Sequence, residues 1–218
     1  MVAWSEVHWR WQGRMAMDQA IAQNLLDISA VQAGAPSRAL AFEPLGPALT
    51  LGKRARTPAG REELAATLAL AALRGWPTLE VERGGLATLH LPGQLVVLVA
   101  VRVAATSLRP LVAELLEAAA ATARDRGCDC QIDRSDDVGV WSQGAKLASI
   151  GLSHQHGVAG HGLALNAAID TRLSNGLTLC GHRDARTASV CAPDRERPQR
   201  LSEFAAHLHL QLLARQTP

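Results

Sequence analysis

The sequence predicts an α+β fold, a mixed and mostly antiparallel β-sheet flanked by α-helices. Three observations lead there. Helical and strand-like periodicities alternate along all 218 residues, with no low-complexity linker and no repeat. Neighbouring strand candidates are joined by short glycine-containing turns, which favours hairpins over the long crossovers of a purely parallel sheet. With 48% hydrophobic residues there is enough apolar material for one sizeable core, and residues 1–218 read as a single domain.

Between Arg14 and Val31, the apolar residues Met17, Ile21, Leu25 and Ile28 recur at a spacing of three or four, predicting a helix that buries that face. A strand follows at Arg38 to Phe42, then a turn through Pro44, Gly46 and Pro47. Pro58 and Gly60 punctuate the chain before a second helix over Arg61 to Leu73. Pro77 to Val81 and Leu95 to Val103 read as strands, with a loop-strand-loop unit, Arg83 to Gln94, between them. Pro110 opens a third helix that runs to about Arg126. Val138 to Trp141 and Lys146 to Leu152 form a hairpin with Gly144 in its turn, and Gly157 to Asn166 is a further strand. Leu201, Phe204, Leu208 and Leu212 mark a last amphipathic helix.

The formal charge of +2 and the lack of a long basic run leave no electrostatic footprint for nucleic acid. Arg183, Arg186, Arg195, Arg197 and Arg200 cluster locally; they read as a solvated surface segment, with a docking patch for an acidic protein as the alternative. Glu6, His8 and Arg10 interrupt the N-terminal segment, which therefore lacks a signal-peptide core. No stretch approaches the roughly 18 apolar residues that span a bilayer. The expectation is a soluble, cytoplasmic protein that neither binds nor crosses membranes. Cys128, Cys130, Cys180 and Cys191 do not suggest a disulfide framework, and Cys128 and Cys130 are too close for a zinc knuckle, so no metal is expected.

Four segments carry chemical potential. In Arg83 to Gln94, paired glycines let backbone approach a ligand, Arg83 supplies a forked cation, and Pro92-Gly93 forces a second turn around His90. No P-loop signature occurs. In Gly144 to Gly151, Lys146 opens an apolar strand; taken alone, the segment favours a lysine that snorkels to the surface over one buried beside a cleft. Gly160 to Asn166 again offers glycines suited to close approach, and Cys180 precedes Gly181.

In order and spacing these four segments resemble the lipoyl/octanoyl transferases, also called lipoate-protein ligase B, and the resemblance implies a biotin/lipoate protein ligase-like fold. Arg83 to Gln94 is similar to the family's R-G-G-x-x-T-x-H-x-P-G-Q loop. Lys146 with Ser149-Ile150-Gly151 resembles its lysine strand, His161 to Asn166 its H-G-L-A-L-N stretch, and Cys180-Gly181 its nucleophile. Leu49-Thr50-Leu51-Gly52-Lys53 looks like its T-L-G-[RK] segment, and the likeness is strongest over residues 40–185.

The resemblance implies transfer of an octanoyl or lipoyl group from acyl carrier protein to a lysine of a lipoyl domain, with no cofactor. The acceptors would be lipoyl domains of 2-oxoacid dehydrogenase complexes or glycine cleavage H protein. It implies Cys180 as the acyl-thioester site and Lys146 as its activating partner. Arg83, Gly84, Gly85, Leu86, Ala87, Thr88, Leu89 and His90 would line the acyl pocket, together with Ser149, Ile150, Gly151, His161, Gly162, Leu163 and Ala164. Two alternatives stand beside it: an ATP-dependent lipoate-protein ligase, and a homologue that binds acyl groups or lipoyl domains with weakened turnover. The chain departs from the family pattern at Leu89, where a tyrosine is common, at Leu91, where a second glycine is usual, and near Leu98, where an aromatic is common. These aliphatic residues are expected to reshape the pocket wall and leave the acyl-length preference open.

Overall fold

The computed structural model describes residues 2–135, 137–178, 186–193 and 199–215. Ten strands and four α-helices follow one another in those segments: β1 (His8–Met15), α1 (Met17–Gln32), β2 (Arg38–Pro44), β3 (Ala48–Leu51), α2 (Pro58–Leu73), β4 (Thr78–Glu80), β5 (Ala87–His90), β6 (Gln94–Arg102), α3 (Leu108–Arg124), β7 (Gln131–Asp133), β8 (Gly139–Ser142), β9 (Ala145–Gln155), β10 (Val158–Asn166) and α4 (Gln199–Ala214). Seven strands make the main sheet in the order β1-β2-β6-β10-β9-β8-β7, and β4-β3-β5 form a small second sheet. In the main sheet only β1 and β2 run parallel; every other pair is antiparallel. The expected mixed, mostly antiparallel sheet with flanking helices is what the chain forms.

The central strands explain the layering. β6 is buried from Gln94 to Val101, so both its faces must be covered. On one face α3 and α4 bring Leu111, Leu115, Phe204 and Leu208 against Leu95, Val97 and Val99. On the other, α1 places Met17 and Ala20 against Leu40, Val96 and Leu98. α2 covers the small sheet through Leu64 and Ala71, which meet Leu49, Leu51 and Leu89. Each such aliphatic side chain contributes about 2 kcal/mol by burial.

The hairpins follow their turn chemistry. Gln143 and Gly144 both take positive φ between β8 and β9, as do His156 and Gly157 between β9 and β10. Two central residues of that conformation make the tight loop whose twist matches antiparallel strands. At α2, Pro58 occupies the first turn and the Thr57 hydroxyl accepts from Gly60 N–H at 3.1 Å, so the helix begins three residues before the expected Arg61. In α3, Pro110 lies inside the first turn and does not open the helix.

Three strands were not anticipated from the sequence, and one helix face differs from the one expected. The segment His8–Met15 is an edge strand, β1, with alternating burial; the period-2 pattern of Trp9, Trp11, Gly13 and Met15 marks it. β3 and the short β7 were likewise not anticipated. The buried face of α1 is rotated from the one predicted: Met17, Ala20, Asn24, Asp27 and Val31 are buried, while Leu25 is 50% exposed and Leu26 65%. Two polar side chains account for the rotation. Asn24 donates to Val99 O at 2.9 Å and accepts from His161 N–H at 3.1 Å, bridging β6 and β10 where the His161 backbone turns to φ 60°. Asp27 accepts from Arg38 at 3.0 Å. An unmet strand carbonyl or amide costs about 1–3 kcal/mol, more than exposing part of a leucine.

Gly162 of β10 pairs with Leu98 of β6 and packs against the β6 backbone. A Cβ there would sit 2.0 Å from Val97 O, a backbone atom that cannot move aside. Gly162→Ala is therefore expected to destabilise the protein by about 3 kcal/mol, read as a lower urea midpoint at unchanged slope.

Candidate active site

The site is built where the two sheets meet. Arg83 reaches out of the loop before β5 and is 9% exposed. Its guanidinium donates to Thr50 O at 2.8 Å, Thr50 Oγ1 at 3.0 Å, Thr88 Oγ1 at 2.8 Å and Gly84 O at 2.9 Å. Two glycines make this possible. A Cβ on Gly151 would meet Arg83 Cδ at 2.7 Å, and one on Gly52 would meet Gly84 O and Gly85 O at 2.5 Å. The Arg-Gly-Gly loop, the Thr-Leu-Gly segment and the Ser-Ile-Gly strand are thus pieces of one close contact.

From Arg83 a directional chain of hydrogen bonds runs to the lysine strand. Thr50 Oγ1 accepts from Arg83, so its own proton goes to His90 Nε2 at 3.0 Å. His90 Nδ1–H donates to Gln94 Oε1 at 2.9 Å. Gln94 Nε2 donates to Leu89 O and, at 2.9 Å, to Asn166 Oδ1; Asn166 Nδ2 donates to Lys146 O at 3.1 Å. The acceptors on either side fix the Gln94 amide orientation and with it the histidine tautomer. His90 is consequently a neutral structural relay. Burial pushes its pKa down to about 4, with the Arg83 cation adding to the shift against the opposing Gln94 bond.

Lys146 departs from the surface reading. It is 9% exposed, and its ammonium donates to Asp137 and lies 5.0 Å from the centre of the Trp141 ring. Gly139 of β8 gives it room: a Cβ there would meet Lys146 Cε at 2.7 Å. Its backbone is held on the far side too, since Lys146 N–H donates to Arg186 O and Ala188 N–H to Lys146 O, both at 2.9 Å. The segment from Arg186 thus runs alongside the lysine strand. Cys180 and Gly181 lie outside the described residues, as do Arg183, Arg195 and Arg197 of the arginine cluster; Arg186 is exposed.

A cleft of about 800 Å³ is lined by Lys146, Asp137, Arg83, Gly84, Gly85, Leu86 and Thr88, by Ser149, Ile150 and Gly151, and by the first turns of α3. A narrower cavity sharing Arg83, Thr88 and Ser149 to Gly151 is lined by His90, His161, Gly162, Leu163 and Ala164, with Met17, Ile21, Val96 and Leu98 closing its apolar end. His161 is a neutral wall as well: burial, with Arg83 assisting, lowers its pKa to about 4. Its positive φ is uncommon for a non-glycine residue and is maintained by the Asn24 bridge.

Of the fifteen pocket positions expected from the sequence, Ala87 and Leu89 line neither space. They face the core under α2 with Leu49, Leu51 and Leu91. The expectation that Leu89 and Leu91 reshape the pocket wall is therefore corrected, because strand alternation in β5 turns Leu89 away from the cavity that Thr88 and His90 face. Leu98 does line the apolar end. Met17, Ile21 and Asp137 were not anticipated; no motif marked them. Among the described residues no three His, Cys, Asp or Glu side chains converge as metal ligands, and no helix is long and apolar enough to cross a membrane.

Known proteins share these features. The chain is 36% identical over 146 residues to an octanoyltransferase of Pseudomonas fluorescens (strain SBW25), covering 63% of each chain. It is 38% identical over 108 residues to one of Marinobacter nauticus, covering 49% of this chain and 50% of that one. The chain thus spans about half to two thirds of the length of the curated relatives it matches. A crystal structure of lipoate-protein ligase A bound with ATP superimposes with a TM-score of 0.71 at 14% identity, over 94% of this chain and 86% of that one. A T. acidophilum protein with bound lipoic acid gives 0.71 at 13% identity, over 96% and 86%. Both likenesses concern the fold. Residues 13–215, nearly the whole chain, match the lipoyl protein ligase A/B catalytic domain, and the protein belongs to that family.

Proposed function

We propose that this protein is an octanoyltransferase, moving an octanoyl or lipoyl group from acyl carrier protein through a thioester on Cys180 to a lysine of a lipoyl domain. The acceptors in this reading are lipoyl domains of 2-oxoacid dehydrogenase complexes or glycine cleavage H protein. One observation carries it: a buried lysine, the Arg83 loop and the strand from His161 to Asn166 converge on a cleft with an apolar branch. The octanoyltransferase names of relatives at 35–38% identity support the same reading.

Each residue has a task in this mechanism. The Cys180 thiolate, paired with the Lys146 ammonium, attacks the carbonyl carbon of the donor thioester. The carbon–sulfur bond to the carrier breaks, and the departing carrier thiolate takes a proton from Lys146, leaving a neutral amine. The acceptor lysine then attacks the Cys180 thioester as a free amine. Cys180 leaves as thiolate, and Lys146 takes the surplus proton from the new amide nitrogen. Charges and protons return to their starting state, and exchange of one thioester for another needs no ATP. The acyl chain lies in the apolar branch between Met17, Ile21 and Leu98, gaining about 0.8 kcal/mol per buried methylene.

Intact-mass measurement after mixing with octanoyl-acyl carrier protein tests the reading. The expected result is a gain of one octanoyl group, labile to hydroxylamine and formed without ATP. No adduct under conditions where a control transferase reacts, or a reaction that requires ATP, would point away from this enzyme and toward a ligase.

A further inference from the structure

We propose that Met17, at the start of α1, is the stopper of the acyl cavity: it swings aside to admit the chain, and its bulk sets the chain length accepted. The inference rests on the transfer mechanism proposed above and assigns chain-length selection to a residue that no motif marks.

The cavity runs from a polar mouth to an apolar end. It shares Arg83, Thr88 and Ser149 with the wide cleft, and Met17, Ile21, Val96 and Leu98 close its far end. A chain entering from the cleft therefore points its terminal methyl at α1. The cavity measures about 40 Å³, room for little more than one water. Benzene occupies a cavity of about 150 Å³, and an octanoyl chain has more carbons beyond its carbonyl than benzene has. The apolar end must widen before such a chain can enter.

The four closing residues differ in what they can yield. Val96 and Leu98 belong to β6, whose ladder with β10 is continuous through both positions. Ile21 is β-branched and restricted to one strongly preferred χ1 rotamer in a helix. Met17 is unbranched, with three rotatable bonds and no polar group to fix it. It is 5% exposed, in a cluster with Leu40, Phe42, Val96 and Leu98.

The helix that carries it stays in place. About two turns beyond Met17, Asn24 binds Val99 O and His161 N–H, beside the cavity residues Leu98 and Gly162. The first turn is held less firmly, because Ala16 supplies no side-chain cap. Opening is thus a movement of the Met17 side chain and the turn that bears it.

Chain length is the readout, because a merely structural methionine would affect every chain alike. The protein is given an equimolar mixture of hexanoyl-, octanoyl-, decanoyl- and dodecanoyl-acyl carrier protein, and the adducts are resolved by intact mass. Wild type should label poorly beyond octanoyl. Met17→Ala makes room for about two methylenes and should raise the decanoyl-to-octanoyl ratio about tenfold. Met17→Phe should shift labelling the other way, toward hexanoyl. Met17→Val, a smaller deletion, should move the ratio in the direction of Met17→Ala by less, and carries the test if Met17→Ala fails to fold. Leu26→Ala, on the exposed face of the same helix, should leave the distribution unchanged. Equal labelling of wild type by all four chains, an unchanged distribution in the Met17 variants, or an equal loss of every chain overturns this inference alone. A wild-type protein that forms no acyl adduct overturns the parent mechanism and this inference with it.

Discussion

Cys180→Ser is expected to abolish both the acyl adduct and transfer to a lipoyl domain, lowering turnover by about 10⁴-fold or more. A thiol with a pKa of about 8.5 is already a few per cent thiolate at neutral pH, and a nearby ammonium raises that fraction. A serine hydroxyl has no comparable ionised fraction, and its ester would be a poorer acyl donor to an amine. The substitution removes one sulfur and adds one oxygen, so stability should change little. Thermal melting within a few degrees of wild type, together with loss of both reactions, is the diagnostic combination. Cys191→Ser and the substitutions Cys128→Ser and Cys130→Ser give the controls, since all three thiols are present as free cysteines elsewhere in the fold. If Cys180→Ser retained the adduct while Cys191→Ser lost it, the nucleophile would have been assigned to the wrong cysteine.

Mild acid should destabilise the protein through two of its site residues. His90 and His161 are both held near pKa 4 by burial, against an ordinary value of about 6.5 in the unfolded chain. Below pH 6.5 the unfolded state therefore binds protons that the folded state refuses, and stability falls as pH falls. The stabilisation is complete above about pH 6.5 and is lost down to about pH 4, where the folded state begins to take up the protons too. At pH 5.0 each histidine costs about 2 kcal/mol, so the pair costs about 4 kcal/mol relative to pH 7.5. Urea unfolding at the two pH values measures this directly. His161→Asn should recover about half of the loss, because asparagine tolerates positive φ and the Asn24 bond is made to backbone. Equal stability at pH 7.5 and 5.0 would contradict the neutral state assigned to both rings.

These buried histidines also explain how far the sequence could be read. The order of the motifs was plain in it, as were the hairpins at Gln143-Gly144 and His156-Gly157, because turn chemistry is local. Thr50, Arg83, His90, Gln94 and Asn166 could each be singled out by motif. Their union into one hydrogen-bonded chain could not, because its links join residues as far apart as Gln94 and Asn166. Helix α1 misled for a related reason. Met17, Ile21, Leu25 and Ile28 follow a helical period, but Asn24 points inward to bond Val99 O and His161 N–H, which turns Leu25 to solvent.

By itself the sequence determined the kind of fold, the family, and which segments carry chemically capable residues, all properties of residue type, order and spacing. Only the tertiary structure decided depth and direction. It turned Leu89 and Leu91 into the core under α2, away from the cavity, because alternate residues of a strand face opposite ways. It buried Lys146 against Asp137, where the sequence segment favoured a surface lysine, because Gly139, Trp141 and a carboxylate from another strand pair surround it. These neighbours are close in sequence, but only the folded β8–β9 hairpin turns them onto the lysine, and burial there decides whether a lysine is a solvated cation or a proton partner.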